Sequence, residues 1–157
     1  EKAAAYLDDL IGENEKIRPV VQSGNEMLDV ILNSKLSAAA DAGIAVEIAR
    51  MKAPDKLPLT DAELCSLMMN LLDNAVEGAS APGVKRPYIK LDFSVKEHFF
   101  AISCENSTTM EHIQKKTAPG RGLGLKIIRQ IVARYDDLLE MEYGADYYCV
   151  KMAIPLD

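Results

Sequence analysis

Apolar residues recur along this chain in two rhythms, one close to a helical turn and one strictly alternating. Leu7, Leu10, Ile11, Ile17 and Val21 have helical spacing, and Pro19 should end that helix, which runs from about Ala3 to Arg18. Ser23-Gly24-Asn25 has the composition of a helix start, Met27, Leu28, Ile31, Leu32 and Leu36 form a second stripe, and Gly43 closes it. Ile44, Val46 and Ile48 then alternate with Ala45, Glu47 and Ala49, as in a strand. Residues 53–58 hold two prolines and read as a loop. Thr60 or Asp61 can cap the next helix, with Glu63 near the capping-box position, and that helix should reach about Ala79, before Pro82-Gly83.

The alternation returns after that helix. Ile89, Leu91, Phe93 and Val95 predict one strand and Phe100, Ile102 and Cys104 its hairpin partner, with the turn near Lys96-Glu97. Residues 105–121 are polar without an apolar period, which predicts a mobile loop. Ile127, Ile128, Ile131, Val132 and Tyr135 predict a helix from about Leu123 to Tyr135. A last hairpin pairs Leu139, Met141 and Tyr143 with Tyr148, Val150, Met152 and Ile154 across Gly144. The economical architecture is an α/β (α+β) two-layer sandwich, with a mixed, mostly antiparallel sheet and helices on one face. Residues 1–22 form a helical segment and residues 23–157 the main domain. The sequence contains no internal repeat.

A chain of 157 residues with 48% hydrophobic and 27% charged residues can build one core. Its formal net charge of -6 argues against nucleic acid as a partner, so an anionic ligand must be met locally, by backbone N–H groups, a metal or a few cations. Cys65, Cys104 and Cys149 are far apart, each in an apolar run, and read as buried free thiols in a reducing compartment. With no CxxC and only His98 and His112, a zinc site is not expected. No apolar run nears the roughly 20 residues of a membrane span, and no secretory signal is visible. The chain begins at Glu1, without Met and within a helical pattern, so it is expected to be a piece of something longer.

Two motifs carry chemistry. Asn70-Leu71-Leu72-Asp73-Asn74-Ala75 places Asn70 and Asn74 one above the other on the flank of a helix whose stripe is Leu64, Leu67, Met68, Leu71 and Ala75. Asn is a mediocre helix former, so the pair calls for an explanation, the plain one being an ordinary polar surface. Gly120-Arg121-Gly122-Leu123-Gly124-Leu125 leads straight into a helix. Glycines allow close backbone approach, and a helix start offers unpaired N–H groups and a positive dipole end, a combination suited to phosphate. It is neither a Rossmann fingerprint nor a Walker A loop, and alone it reads equally as a hinge.

Taken in order, Asn-x-x-x-Asn on a helix, a hairpin, a long polar loop and Gly-x-Gly-x-Gly opening a helix resemble the GHKL (Bergerat-fold) ATPases. The resemblance covers roughly residues 40–157. That family includes sensor histidine kinases, type II topoisomerases, ninety-kilodalton heat-shock chaperones and mismatch-repair ATPases. It implies ATP and Mg²⁺ as ligands, with Asn74 as the asparagine that holds the metal through its amide oxygen. It implies that Gly120, Gly122 and Gly124, with the N–H groups around Leu123 and Leu125, hold the phosphates. Lys115, Lys116 and Arg121 become candidate cations of the loop over the site, against the alternative of solvated loop charges. Where topoisomerases and chaperones carry a Glu as general base, this chain has Asn70, which favours a kinase over a hydrolase. The Asp-x-Gly-x-Gly expected after the hairpin is replaced by Cys104-Glu105-Asn106-Ser107-Thr108, with Asn106 at the Asp position, where its oxygen could accept from an adenine amino group. Many sensor histidine kinases have Lys where this chain has Glu77. A second carboxylate near phosphate is unfavourable unless cations offset it, which implies modest affinity.

Asn-Leu-Leu-Asp-Asn-Ala-Val-Glu, Asn106-Ser107 and Gly-Leu-Gly-Leu-Lys-Ile-Ile resemble the peptide-pheromone kinases of the accessory-gene-regulator type, as does the Gly24-Asn25, Leu28-Asp29, Ile31-Leu32 and Lys35 pattern. That branch implies quorum sensing, a membrane sensor upstream, a cytoplasmic catalytic domain, a possible homodimer, a dimerising hairpin bearing the phosphorylated histidine, and a response regulator as partner. Residues 1–22 would be the tail of that hairpin. Neither His98, expected at a strand edge, nor His112, expected as an exposed loop residue, has the place of a phosphoacceptor. An anti-sigma-factor-type serine kinase and a degenerate GHKL module used for dimerisation or scaffolding are the competing readings.

Overall fold

The computed structural model describes residues 20–120 and 122–156, so the helix expected over residues 3–18 and the side chain of Arg121 lie outside the described part. Helix α1 (Glu26–Asp41) begins where Asn25 accepts from the Leu28 N–H at 3.0 Å. The Asn25 amide nitrogen also donates to the carbonyls of Pro54 and Asp55, so one buried side chain caps the helix and fastens it to the loop after the first strand. Gly24 is needed for this turn: its φ is 102°, and an added Cβ would lie 3.0 Å from the Ala53 carbonyl oxygen. Gly43, at φ 84°, turns the chain into strand β1 (Ala45–Met51).

Helix α2 (Asp61–Ala79) opens on a complete capping box, in which Thr60 accepts from the Glu63 N–H and Glu63 accepts from the Thr60 N–H. Its stripe of Leu64, Leu67, Met68, Leu71, Leu72 and Ala75 is buried. The hairpin β2 (Tyr88–Lys96) and β3 (Phe99–Ser107) follows, then helix α3 (Met110–Lys116), helix α4 (Leu123–Val132), and the hairpin β4 (Leu138–Tyr143) and β5 (Tyr147–Pro155). The strands form one sheet in the order β1-β2-β3-β5-β4. β1 runs parallel to β2, with a register shift between Ile48 and Arg50, and the other neighbours are antiparallel.

The alternation seen in the sequence separates the two faces of the sheet. Ile89, Leu91 and Phe93, then Phe100, Ile102 and Cys104, then Val150, Met152 and Ile154 all lie in the core under the helices. The ring edge of one member of the Phe93–Phe100 pair meets the other, with centroids 6.0 Å apart. The opposite face carries polar residues, including the Arg50–Asp92 and Lys151–Glu142 ion pairs. A one-residue slip of β3 would turn its whole apolar row to solvent, so burial sets the register. The architecture is therefore the expected two-layer one.

The segment expected as a mobile loop differs from expectation. β3 continues through Ser107, and α3 occupies half of the rest. Thr109 caps α3 by accepting from the His112 N–H at 3.2 Å, and Ile113 anchors it in the core. One buried residue in a polar run produces no periodicity, which is why the helix left no signal. α4 ends at Val132 rather than Tyr135, because the chain turns through left-handed Asp136 and Asp137. Cys104 and Cys149 are buried as expected, while Cys65 is only half-buried, and all three are free thiols. Among the described residues, no helix is long and apolar enough to cross a membrane.

Candidate functional site

A cavity of about 370 Å³ opens between α2, α3 and the start of α4. α2 contributes Asn70, Asp73, Asn74 and Glu77, α3 contributes His112, Lys115 and Lys116, and the turn into α4 contributes Gly122, Leu123 and Gly124. The two motifs singled out in the sequence therefore face each other across one cavity.

The glycines have separate structural reasons. Gly122 is the N-cap of α4 with φ 76°, and a Cβ there would stand 3.1 Å from the Lys116 carbonyl oxygen. It offers no side-chain cap, so the first N–H groups of α4 are left to whatever enters the cavity. Gly124 lies against Asn70, where a Cβ would be 3.2 Å from Oδ1. Asn70 turns its amide nitrogen back to the Ser66 carbonyl, 2.7 Å away, and presents its oxygen to the glycine turn. Gly120 is left-handed with open space around it. Neither Gly120 nor Leu125 lines the cavity, and Leu125 packs against the core.

Asn74 is 8% exposed, yet its side chain makes no hydrogen bond to a described residue. Asp73 is engaged by Lys35 of α1, whereas Glu77 has no ion pair with a described residue. On the facing wall, Lys116 is half-buried, with its ammonium 4.7 Å from the centroid of the Tyr148 ring. Burial pulls its pKa down to about 8, against the opposing pull of the Glu77 carboxylate. His112 is not the exposed loop residue expected. It is a half-buried residue of α3 whose Nε2 is buried without a hydrogen-bond partner among the described residues, and burial lowers its pKa. Lys115 pairs with Glu111 one turn back on α3.

Asn106 stands apart from the cavity lining. It is 3% exposed, its amide nitrogen donates to the Ser107 carbonyl at 2.9 Å, and it lies against α2 at Gly78. A Cβ on Gly78 would come within 2.3 Å of that nitrogen and 3.5 Å of Thr108 Oγ1. Thr108 Oγ1 is itself buried without a hydrogen-bond partner among the described residues. Asn70, Asn74 and Gly78 follow one another at intervals of about one helical turn, so the flank of α2 is continuous from the cavity to this buried polar end. Gly78, Thr108 and Tyr148 were missed in the sequence. Only Gly78, a helix-interior glycine in line with the two asparagines, left a signal that could have been read.

The donor set suits phosphate oxygens with a hard cation. Among the described residues no group of three or more His, Cys, Asp or Glu could hold a metal by itself. A cation here would need ligand oxygens besides the Asn74 amide oxygen. Uncapped N–H groups and two lysines supply the positive potential that the net charge of -6 denies elsewhere.

A two-layer domain with an asparagine-bearing helix opposite a glycine turn defines the class. Residues 59–155 match the family described as the GHKL domain, and the chain belongs to that family. It is 23% identical over 163 residues to the sensor histidine kinase NatK of Bacillus subtilis, an alignment covering 96% of this chain and 51% of that protein. It is 26% identical over 157 residues to a probable C4-dicarboxylate sensor kinase of Halalkalibacterium halodurans, covering 90% of this chain and 30% of that one. The chain thus spans about half the length, or less, of these relatives. Its fold matches the catalytic domain of histidine kinase ThkA with a TM-score of 0.63 at 19% identity, covering 83% of this chain and 90% of that one. A histidine kinase from Burkholderia phymatum matches with a TM-score of 0.64 at 16% identity, covering 98% and 78%.

Proposed function

We propose that this chain is the ATP-binding catalytic domain of a two-component sensor histidine kinase, which passes the γ-phosphoryl group of ATP to a histidine outside this chain. The observation that carries the reading is Asn74, 8% exposed and without a side-chain hydrogen bond to a described residue, across one cavity from the uncapped start of α4. ATP supplies the phosphoryl group, and Mg²⁺ neutralises its charge. Asn74 would hold the metal through its amide oxygen. The N–H groups at Gly122, Leu123 and Gly124 would orient the phosphates, with Lys115 and Lys116 offsetting their charge. Asn70 is no general base, and its hydrogen bond to Ser66 makes it a positioning residue for the glycine turn. Transfer to a histidine nucleophile needs positioning and charge neutralisation more than a base, which suits this lining.

Asn106 is assigned to the base end, where its oxygen would accept from the adenine amino group once the segment around α3 makes room. Gly120 would lend its left-handed turn to the loop over the phosphates, and Arg121, a candidate cation of that loop, lies outside the described residues. The dimerising hairpin, a response regulator, a membrane anchor and the peptide-pheromone branch belong to the same reading of the longer protein. A nucleotide-free scaffolding role is the second reading, favoured by the seclusion of Asn106 behind Gly78.

Calorimetric titration of Mg-ATP tests the proposal, with binding expected in the micromolar to low-millimolar range. Absence of heat, with the fold intact by circular dichroism, would favour scaffolding. Incubation with a histidine-bearing hairpin should give acid-labile phosphate, whereas acid-stable phosphate on a partner would point to serine.

A further inference from the structure

Sheet register gathers a second group of residues beside the cavity. Ile89, Asn106, Tyr148 and Tyr143 stand opposite one another across β2, β3, β5 and β4. Paired residues share a face of the sheet, and Ile89 and Tyr148 belong to the core, so the row lies on the helix-covered face. Tyr143 stacks on Tyr148 with ring centroids 6.3 Å apart and planes 6° apart, which fixes the tilt of the Tyr148 ring. Lys116, from the cavity wall, lies over that ring with its ammonium 4.7 Å from the centroid. The cover is thus a cation carried on α3, a seven-residue helix whose one buried residue is Ile113. A cation and a stacked aromatic base use the same π face, so one can replace the other.

Polar groups stand at the side of the ring. The Asn106 amide nitrogen is engaged by the Ser107 carbonyl, which leaves its oxygen to accept. Thr108 Oγ1, two residues on, is buried without a hydrogen-bond partner among the described residues. Both side chains reach Gly78 of α2, so acceptor and hydroxyl lie together. An aromatic face with a polar edge beside it suits a planar nucleobase. We propose that Tyr148 is the stacking platform for the adenine ring, which takes the face over which Lys116 lies and turns its polar edge to Asn106 and Thr108. The proposal rests on the nucleotide reading of the site and adds to it the residue that holds the base by its face. Tyr143 keeps the platform in place.

Tyrosine fluorescence tests this, because the chain has six tyrosines and no tryptophan. Saturating Mg-ADP should quench wild-type emission, after correction for absorption by the nucleotide. Tyr148→Phe keeps a ring, so by calorimetry it should bind Mg-ADP within about two-fold of wild type, while most of the quenching is lost. Tyr148→Leu, checked for fold by circular dichroism, should bind at least about five-fold more weakly, the low end of base–aromatic stacking. Quenching retained in Tyr148→Phe, or a folded Tyr148→Leu with wild-type affinity, would overturn the platform. So would Mg-ADP binding to the wild type without a change in emission. No binding by the folded wild type would overturn the nucleotide reading, and this proposal with it.

Discussion

Thr60 and Glu63, at the start of α2, satisfy each other and draw in Tyr135 and Arg134 from beyond α4. Asn74 and Glu77, near its other end, have no side-chain hydrogen bond or ion pair with a described residue. One helix thus carries a closed polar cluster and an open one. In the closed cluster Glu63 accepts from Tyr135 at 2.6 Å and from Arg134 at 2.9 Å, and the bonds from Tyr135, the Thr60 N–H and Arg134, led by that of Tyr135, hold its carboxyl down at about 2. Such a cluster locks the turn after α4 to the start of α2. In the open cluster Asn74 and the exposed Glu77 keep their polar capacity free at the rim of the cavity. The difference separates side chains that hold the fold from those whose polar groups are left available at the cavity.

The comparison breaks most readily at Asn74. Asn74→Ala should weaken Mg-nucleotide binding at least ten- to a hundred-fold, the range known for groups that merely support a metal ligand, while thermal stability stays nearly unchanged. Calorimetry beside a melting curve reads both, and equal affinity in the variant would remove Asn74 from the site. Next comes Gly78→Ala. Ala would favour the helix by up to about 1 kcal/mol, but its Cβ would meet the buried Asn106 amide. Overpacking of about 1–3 kcal/mol should win, seen as a lower urea midpoint. A more stable variant would mean that Asn106 moves freely.

Thr60→Ala should cost about 1 kcal/mol of stability and leave nucleotide affinity alone, because it opens only the closed cluster. A change in affinity would show that the two ends of α2 are coupled. The smallest effect is expected from pH. The Glu63 carboxyl lies at about 2 in the folded protein, below its ordinary 4.5. Its contribution to stability is therefore present above about 4.5 and is lost as pH falls toward 2. Glu63→Gln should be less stable than wild type at neutral pH, with the gap closing across that interval in denaturation curves. A gap of constant size would assign the loss to packing rather than charge.

The sequence by itself determined the order of the described elements other than α3, the buried face of each strand, the capping box at Thr60 and Glu63, and the two chemical motifs. These depend on residues a few positions apart, where period and local hydrogen bonding are written directly. Asn70 and Asn74 share a flank because of helical pitch alone. Helix α3 was hidden because only Ile113 anchors it, and one residue has no period. The seat of Lys116 over Tyr148, the contact of Asn106 with Gly78 and the seclusion of Asn106 from the cavity were decided by tertiary structure alone. Each joins segments distant in the chain through sheet register and the packing of α3 on the core. A pattern of apolar positions states which face an element buries, but not which side chain meets it there.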